Sequence, residues 1–325
     1  MNNELMLTGV SQAPGHFIKD ALTLIAHPSR IQGVFNRVRG TDTQMKTGKL
    51  RPDQQSRHVV DELIEDRAPK LIHTPFWPMI KGLGYPVLGY RKAVAMVDAI
   101  FALSGTACLD WMSEYLQLKT QISGLDNIPE SGACVIVANH PGGIADGIAL
   151  WDSIKHRRSD TIFFANHDGL KVCPGLKDTI IPVAWRDEER TREQTRETLK
   201  RSREAFKAGQ CIVIFPAGRM AEWSWKKWQL REKPWQPTAI SLARKYKAPI
   251  IPLAINQRMP FLYYLLAQFS EELKDMTVFQ GLIGKKSARY RLDYGRAMDS
   301  QKQGKDDLAT TNMLRDICER TAWGD

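Results

Sequence analysis

Five short runs, ACVIVA (133–138), TIFFA (161–165), TIIPV (179–183), CIVIF (211–215) and PIIPLAI (249–255), hold no charged residue and no polar residue beyond threonine. Runs of this length without polar alternation have no face to turn to water, so each fits a strand covered on both sides. Stretches of helical periodicity lie between most of them. The predicted fold is α/β, a largely parallel mixed sheet flanked by helices, with an N-terminal helical extension. In such sheets ligands bind where the carboxyl end of a strand runs into a loop and helix, so the residues just beyond each run are the first candidates for a site.

Around this core the chain divides into four parts. Residues 1–70 are a polar extension with short apolar clusters, ALTLIAH and VVDELIED. Residues 71–120 begin aromatic and Pro/Gly-rich and continue into RKAVAMVDAIFALSGTACLDWMSEYLQL, where apolar residues recur at three and four along an expected helix pair. The apolar stretches LIHTPFWPMI, GLGYPVLGY and AIFALSGTACL are ended by Lys81, Arg91 and Asp110, well short of the roughly 20 residues a spanning helix needs. They are long enough to enter an interface or pack in a core, and 71–120 is expected to be an amphipathic membrane-docking segment. The turn-rich GLDNIPESG opens an α/β domain at 121–300, and 301–325 form a C-terminal helix or tail. Within the α/β domain a helix is expected at about 187–208, with Arg192, Arg196, Lys200, Arg203 and Lys207 along one side, facing solvent or lipid.

The formal charge is +10, from 46 basic and 36 acidic residues, which favours an anionic partner such as phospholipid headgroups, nucleic acid or a phosphorylated cofactor. The cysteines Cys108, Cys134, Cys173, Cys211 and Cys318 form no C-x-x-C pair, and Cys134 and Cys211 lie inside apolar runs. Buried thiols in a reducing compartment follow, rather than zinc ligands or a redox dithiol. The opening MNNELMLTGVSQAPGHFIKD lacks a basic start followed by an apolar stretch, so a cytoplasmic protein is expected.

The tripeptide Ala-Asn-His occurs twice, in VIVANHPGGIADGIAL and in FFANHDGL. In the first, a strand meets a Pro-Gly-Gly turn and then a helix, with His140 just past the strand tip and Asp146 near the helix start. A histidine there can take a proton from a hydroxyl or amine near neutral pH, and a carboxylate fixes its tautomer and stabilises the imidazolium. Gly142 and Gly143 allow close backbone approach, and N–H groups at a helix start suit an oxyanion or a phosphate. In the second copy His167 is followed directly by Asp168. Neighbours in sequence point differently, so that pair is a poor base and orienter, and His167 is at most a cleft-lining residue.

Downstream, CIVIFPAGRMAEW carries Arg219 in a second strand-to-turn junction. With the first Asn-His junction, the segment IIPVAWRDEER and the strand KAPIIPLAI, the order of blocks resembles the glycerolipid (PlsC-type) acyltransferases over about 121–298. Five residues separate His140 from Asp146 where the family has four, and Ala217 stands in place of the family's glutamate. Both variants, with KPWQPTAISLARKYKAPIIPL, resemble the hemolysin-like and ornithine-lipid-type branch.

The resemblance implies an enzyme that moves a fatty acyl group from acyl-CoA or acyl-carrier protein to a hydroxyl of a lysophospholipid or lyso-aminolipid. His140 would be the general base and Asp146 its partner. Asn139, Gly142 and Gly143 would border the substrate, Arg186 would meet an anionic part of the acceptor, and Phe215, Pro216, Gly218 and Arg219 would complete a polar or anionic headgroup site. No metal or resident cofactor is implied. The expected partners are the lyso-lipid, the acyl donor and an anionic membrane surface, with no nucleic acid, and the expected location is peripheral on the inner face of the plasma membrane. The competing class is a basic, non-catalytic lipid- or nucleic-acid-binding protein on the same scaffold.

The segment AEWSWKKWQLREKPWQ interleaves Trp223, Trp225, Trp228 and Trp235 with lysines and Arg231. It reads either as a membrane-interface contact or as partly buried tryptophans beside solvated cations. GLIGKKS is too short in its glycine spacing for a phosphate loop.

Overall fold

The computed structural model describes residues 57–184 and 191–324, all within one unit spanning Arg51–Asp325. The described residues open with α1 (Val59–Asp66), whose N-cap His58 accepts a hydrogen bond from the Val60 N–H at 3.1 Å. Next come α2 (Trp77–Val87), α3 (Tyr90–Ile100) and α4 (Gly105–Leu116), then β1 (Lys119–Ser123), β2 (Cys134–Ala138) and α5 (Ile144–Ile154). After β3 (Ile162–Asn166), α6 (Asp168–Val172) and β4 (Ile180–Val183) comes α7 (Arg192–Lys207), opened by a capping box between Thr191 and Gln194. Then follow β5 (Cys211–Ile214), a hairpin of β6 (Glu222–Ser224) and β7 (Gln229–Arg231), α8 (Thr238–Lys245) and β8 (Ile250–Asn256). The short helices α9 (Phe261–Leu266), α10 (Glu271–Asp275) and α11 (Val278–Ile283) lead to β9 (Arg289–Tyr294) and α12 (Asp307–Trp323).

Among the described residues one sheet has seven strands in the order β1-β9-β8-β2-β5-β3-β4. All neighbouring pairs are parallel except β8 with β9, so β1 and β9 run against the other five. The expected largely parallel mixed sheet is therefore present, and the five apolar runs supply β2, β3, β4, β5 and β8. β2 lies between β5 and β8, with Val135 beside Ile212 on one side and Ile250 on the other.

Burial on both faces is visible in the alternation of β2. Cys134, Ile136 and Ala138 face a core shared with α1, α3, α4, α5 and α11, whereas Val135 and Val137 face Phe206 of α7, Ile240 of α8 and Leu314 of α12. Every residue of β2 is buried, which is why its sequence shows no polar period. The helix pair expected in 91–118 is α3 and α4. α1 comes from the stretch read as a polar extension and buries Val60, Leu63 and Ile64 in the same core. The five cysteines are buried and free.

α2 differs from its neighbours. It buries only Tyr85, while Phe76, Met79, Leu83 and Val87 lie exposed, spaced three, four and four residues apart. Among the described residues no helix is long and apolar enough to cross a membrane.

Candidate active site

His140 follows the carboxyl end of β2 directly, and Asp146 lies in the first turn of α5. Their side chains meet: His140 Nδ1 is 3.0 Å from Asp146 Oδ2, and the same oxygen accepts the Gly142 N–H at 2.8 Å. Five intervening residues thus close the pair through the Pro141-Gly142-Gly143 turn. Gly143 adopts φ 74° and ψ −150°, a conformation open in practice to glycine alone, and it aims α5 back under the histidine. A Cβ on Gly142 would stand 2.3 Å from Asp146 Oδ1 and 2.5 Å from the Tyr290 hydroxyl. This glycine is required by space, and its N–H is engaged by Asp146 rather than free for a substrate oxygen.

Asp146 is fully buried, whereas the His140 side chain keeps 20% exposure, so the pair has a closed end and an open one. With Nδ1–H directed at the carboxylate, the imidazole offers Nε2 to an incoming group. Phe215, just beyond β5, stacks on the imidazole with centroids 4.3 Å apart at 28° and fixes its plane. Asn139 is buried and staples β2 to β8, its side-chain nitrogen donating to Ile255 O at 2.9 Å and its oxygen accepting the Ile255 N–H at 2.7 Å. Its groups are spent on the sheet, so it anchors His140 rather than bordering a substrate.

Both backbone groups of His140 are also held. Its carbonyl accepts the Ala221 N–H at 2.9 Å, and its own N–H donates to Glu232 Oε1 at 2.9 Å. Pro216 anchors the neighbouring loop by accepting the Gln236 N–H at 3.0 Å. Gly218 turns the chain with φ 63°, and Arg219 lies two residues before Ala221, 3.9 Å from Glu271 of α10. Arg186 lies outside the described residues. Tyr290 of β9 and Lys285 complete the buried side. Burial first, then the Asp146 charge, pushes the Tyr290 hydroxyl well up, and burial brings the Lys285 ammonium down to about 8 against the opposing pull of Asp146. Lys285 donates to the Arg258 carbonyl.

His167 sits at the tip of β3. Its Nε2 is 3.6 Å from Asp168 Oδ1, but Asp168 is committed elsewhere, its Oδ2 accepting from Arg67 at 3.0 Å and Asn166 at 3.2 Å. That carboxylate ties α6 to the end of α1. The tryptophans of 223–235 divide: Trp235 is buried and donates to Glu232 Oε2 at 3.1 Å, whereas Trp225 and Trp228 are exposed and meet edge to face. Glu232 and Tyr290 carry no motif in the sequence, and only the return of their segments to the β2 tip brings them into the site.

A histidine on a buried carboxylate, at the mouth of a strand-to-helix turn in a mostly parallel sheet, is an arrangement chemically able to take up a proton at its open ring nitrogen. Residues 119–256 match the family model described as Acyltransferase, over the stretch that carries the motif blocks. Among curated proteins it is similar to a lyso-glycine lipid O-acyltransferase of Phocaeicola vulgatus, 28% identical over 169 residues that cover 52% of this chain and 58% of that protein. A second lyso-glycine lipid O-acyltransferase, of Bacteroides thetaiotaomicron, is 24% identical over 221 residues, 66% of this chain and 76% of that one. The match thus spans less than two thirds of the first relative's length. A solved structure, the 1-acyl-sn-glycerophosphate (LPA) acyltransferase PlsC from Thermotoga maritima, aligns over 66% of this chain and 78% of that one at 16% identity, with a TM-score of 0.43.

Proposed function

We propose that the protein transfers a fatty acyl group from a thioester donor, acyl-CoA or acyl-carrier protein, to a hydroxyl of a lyso-lipid, with His140 as general base. The observation that carries this reading is the His140–Asp146 contact at 3.0 Å, closed and buried at Asp146 and open at the imidazole. Similarity to proteins named lyso-glycine lipid O-acyltransferases favours an amino-acid-type lyso-lipid as acceptor.

In this mechanism the acceptor O–H gives its proton to His140 Nε2 as its oxygen attacks the thioester carbonyl. Asp146 stabilises the imidazolium through Nδ1–H. Of the first-turn N–H groups of α5, that of Asp146 donates to the Gly143 carbonyl at 2.9 Å, and those of Ile144 and Ala145 ahead of it would supply donors for the tetrahedral oxyanion. Collapse expels the thiolate, which takes the proton back from Nε2, so acid and base are the same residue and no acyl-enzyme forms. The acceptor headgroup would lie toward Arg219, and Arg186 belongs to the same proposal. The exposed stripe Phe76, Met79, Leu83 and Val87 would seat the protein on an anionic membrane, on its cytoplasmic face, where a lyso-lipid can enter without leaving the bilayer surface.

The reading is tested by free thiol release from palmitoyl-CoA and from acyl-carrier protein, with lyso-glycine lipid and lysophospholipids as acceptors. Release that depends on an acceptor and on His140 supports it. Salt-sensitive binding of lipid or DNA without release would favour a non-catalytic binder.

A further inference from the structure

The hairpin β6–β7 is bracketed by the two residues that grip the backbone of His140. Ala221, just before β6, donates to the His140 carbonyl, and Glu232, just after β7, accepts the His140 N–H. Glu232 is 6% exposed, and both carboxylate oxygens are occupied by donors, His140 N–H on Oε1 and Trp235 Nε1–H on Oε2. Its own N–H donates to Glu319 Oε1 of α12 at 2.8 Å, so the clamp is fastened to the helix that covers β8. The groups facing Glu232 are His140, Glu319 and Cys318 of α12, and Tyr264 of α9.

We propose that Glu232 is a positioning residue for His140, whose ionised carboxylate holds the histidine peptide so that the imidazole stays on Asp146. The inference rests on the acyl-transfer reading. Its chemistry follows from the two donors. An ionised carboxylate accepts both N–H groups, whereas a protonated one presents an O–H and gives up an acceptor, leaving a buried N–H without a partner. Burial pushes the Glu232 carboxyl up to about 7, against the opposing effect of the His140 and Trp235 hydrogen bonds, so the clamp loosens as pH falls through neutrality. The hairpin carries the exposed Trp225 and Trp228 between its two grips, so displacement of the hairpin reaches His140 through its backbone.

The test compares full-length wild type with Glu232→Gln, Glu232→Asp and His140→Ala. In 15N-labelled wild type the Trp235 indole signal is expected to titrate with a midpoint near 7, and the low-field Nδ1–H proton of His140 is expected to be visible above that pH. Glu232→Gln should abolish the indole transition and lose the Nδ1–H proton to exchange. In thiol release with palmitoyl-CoA it should lower kcat about tenfold with KM little changed, and flatten the rise of rate with pH around 7. Glu232→Asp, which keeps the charge, should recover part of the rate. An indole signal that does not titrate, or a wild-type rate and pH profile in Glu232→Gln beside an inactive His140→Ala, overturns the role of Glu232 and leaves acyl transfer standing. Normal turnover by His140→Ala overturns the acyl-transfer reading and the inference with it.

Discussion

Asp146 Oδ2 carries two hydrogen bonds, from His140 Nδ1 and from the Gly142 N–H, and the two have different consequences when disturbed. Asp146→Asn keeps an oxygen able to accept both but removes the charge that, in the proposed mechanism, would stabilise the imidazolium. Turnover should fall by about a hundredfold or more with the unfolding midpoint little moved, as steady-state kinetics and thermal melts on one preparation will show. Gly142→Ala acts by volume. Its Cβ would overlap Asp146 Oδ1 and the Tyr290 hydroxyl, which belong to packed and buried groups, so a loss of about 1–3 kcal/mol is expected. That corresponds to a drop of several degrees in Tm, with turnover reduced as Asp146 is pushed from the imidazole.

The two ends of the central strands are built for different ends. At the carboxyl edge Asn139 joins β2 to β8 beside His140. At the amino edge Arg158, 1% exposed, donates to the carbonyls of Pro129, Gly132 and Gly209 and pairs with Asp160. Arg158→Met leaves those carbonyls unsatisfied and should cost about 3 kcal/mol in chemical denaturation while the folded fraction keeps its turnover. Asn139→Ala should lose stability and turnover together. The same contrast explains what was legible in the sequence. β2, β5 and β8 are buried on both faces and announce themselves as unbroken apolar runs. In β9, between β1 and β8, the buried Tyr290, Leu292 and Tyr294 alternate with Arg289, Arg291 and Asp293, and the edge strand β1 is nearly all polar, so neither stands out in the sequence. His140 and Asp146 are readable because one turn joins them. Glu232 is 92 residues from the peptide it holds, inside a run of tryptophan and lysine that masks it, and only tertiary structure reveals its place.

Among the described residues, the sheet with its two helical layers holds His140 and Asp146 at the carboxyl end of the central strand β2, and the exposed stripe of α2 offers a separate apolar surface. If the stripe seats the protein on lipid, Phe76→Glu with Leu83→Glu should weaken sedimentation with anionic vesicles by about a hundredfold, from the apolar burial of two large side chains. Turnover on acceptor dispersed in dilute detergent should be unchanged. The proposed proton path through His140 is the most direct object of test. With palmitoyl-CoA or acyl-carrier protein as donor and lyso-glycine lipid or lysophospholipid as acceptor, thiol release by the wild type should require the acceptor, and folded His140→Ala should lose it by about a thousandfold. Acceptor-dependent release at the wild-type rate from His140→Ala would contradict the assignment of His140 as the base.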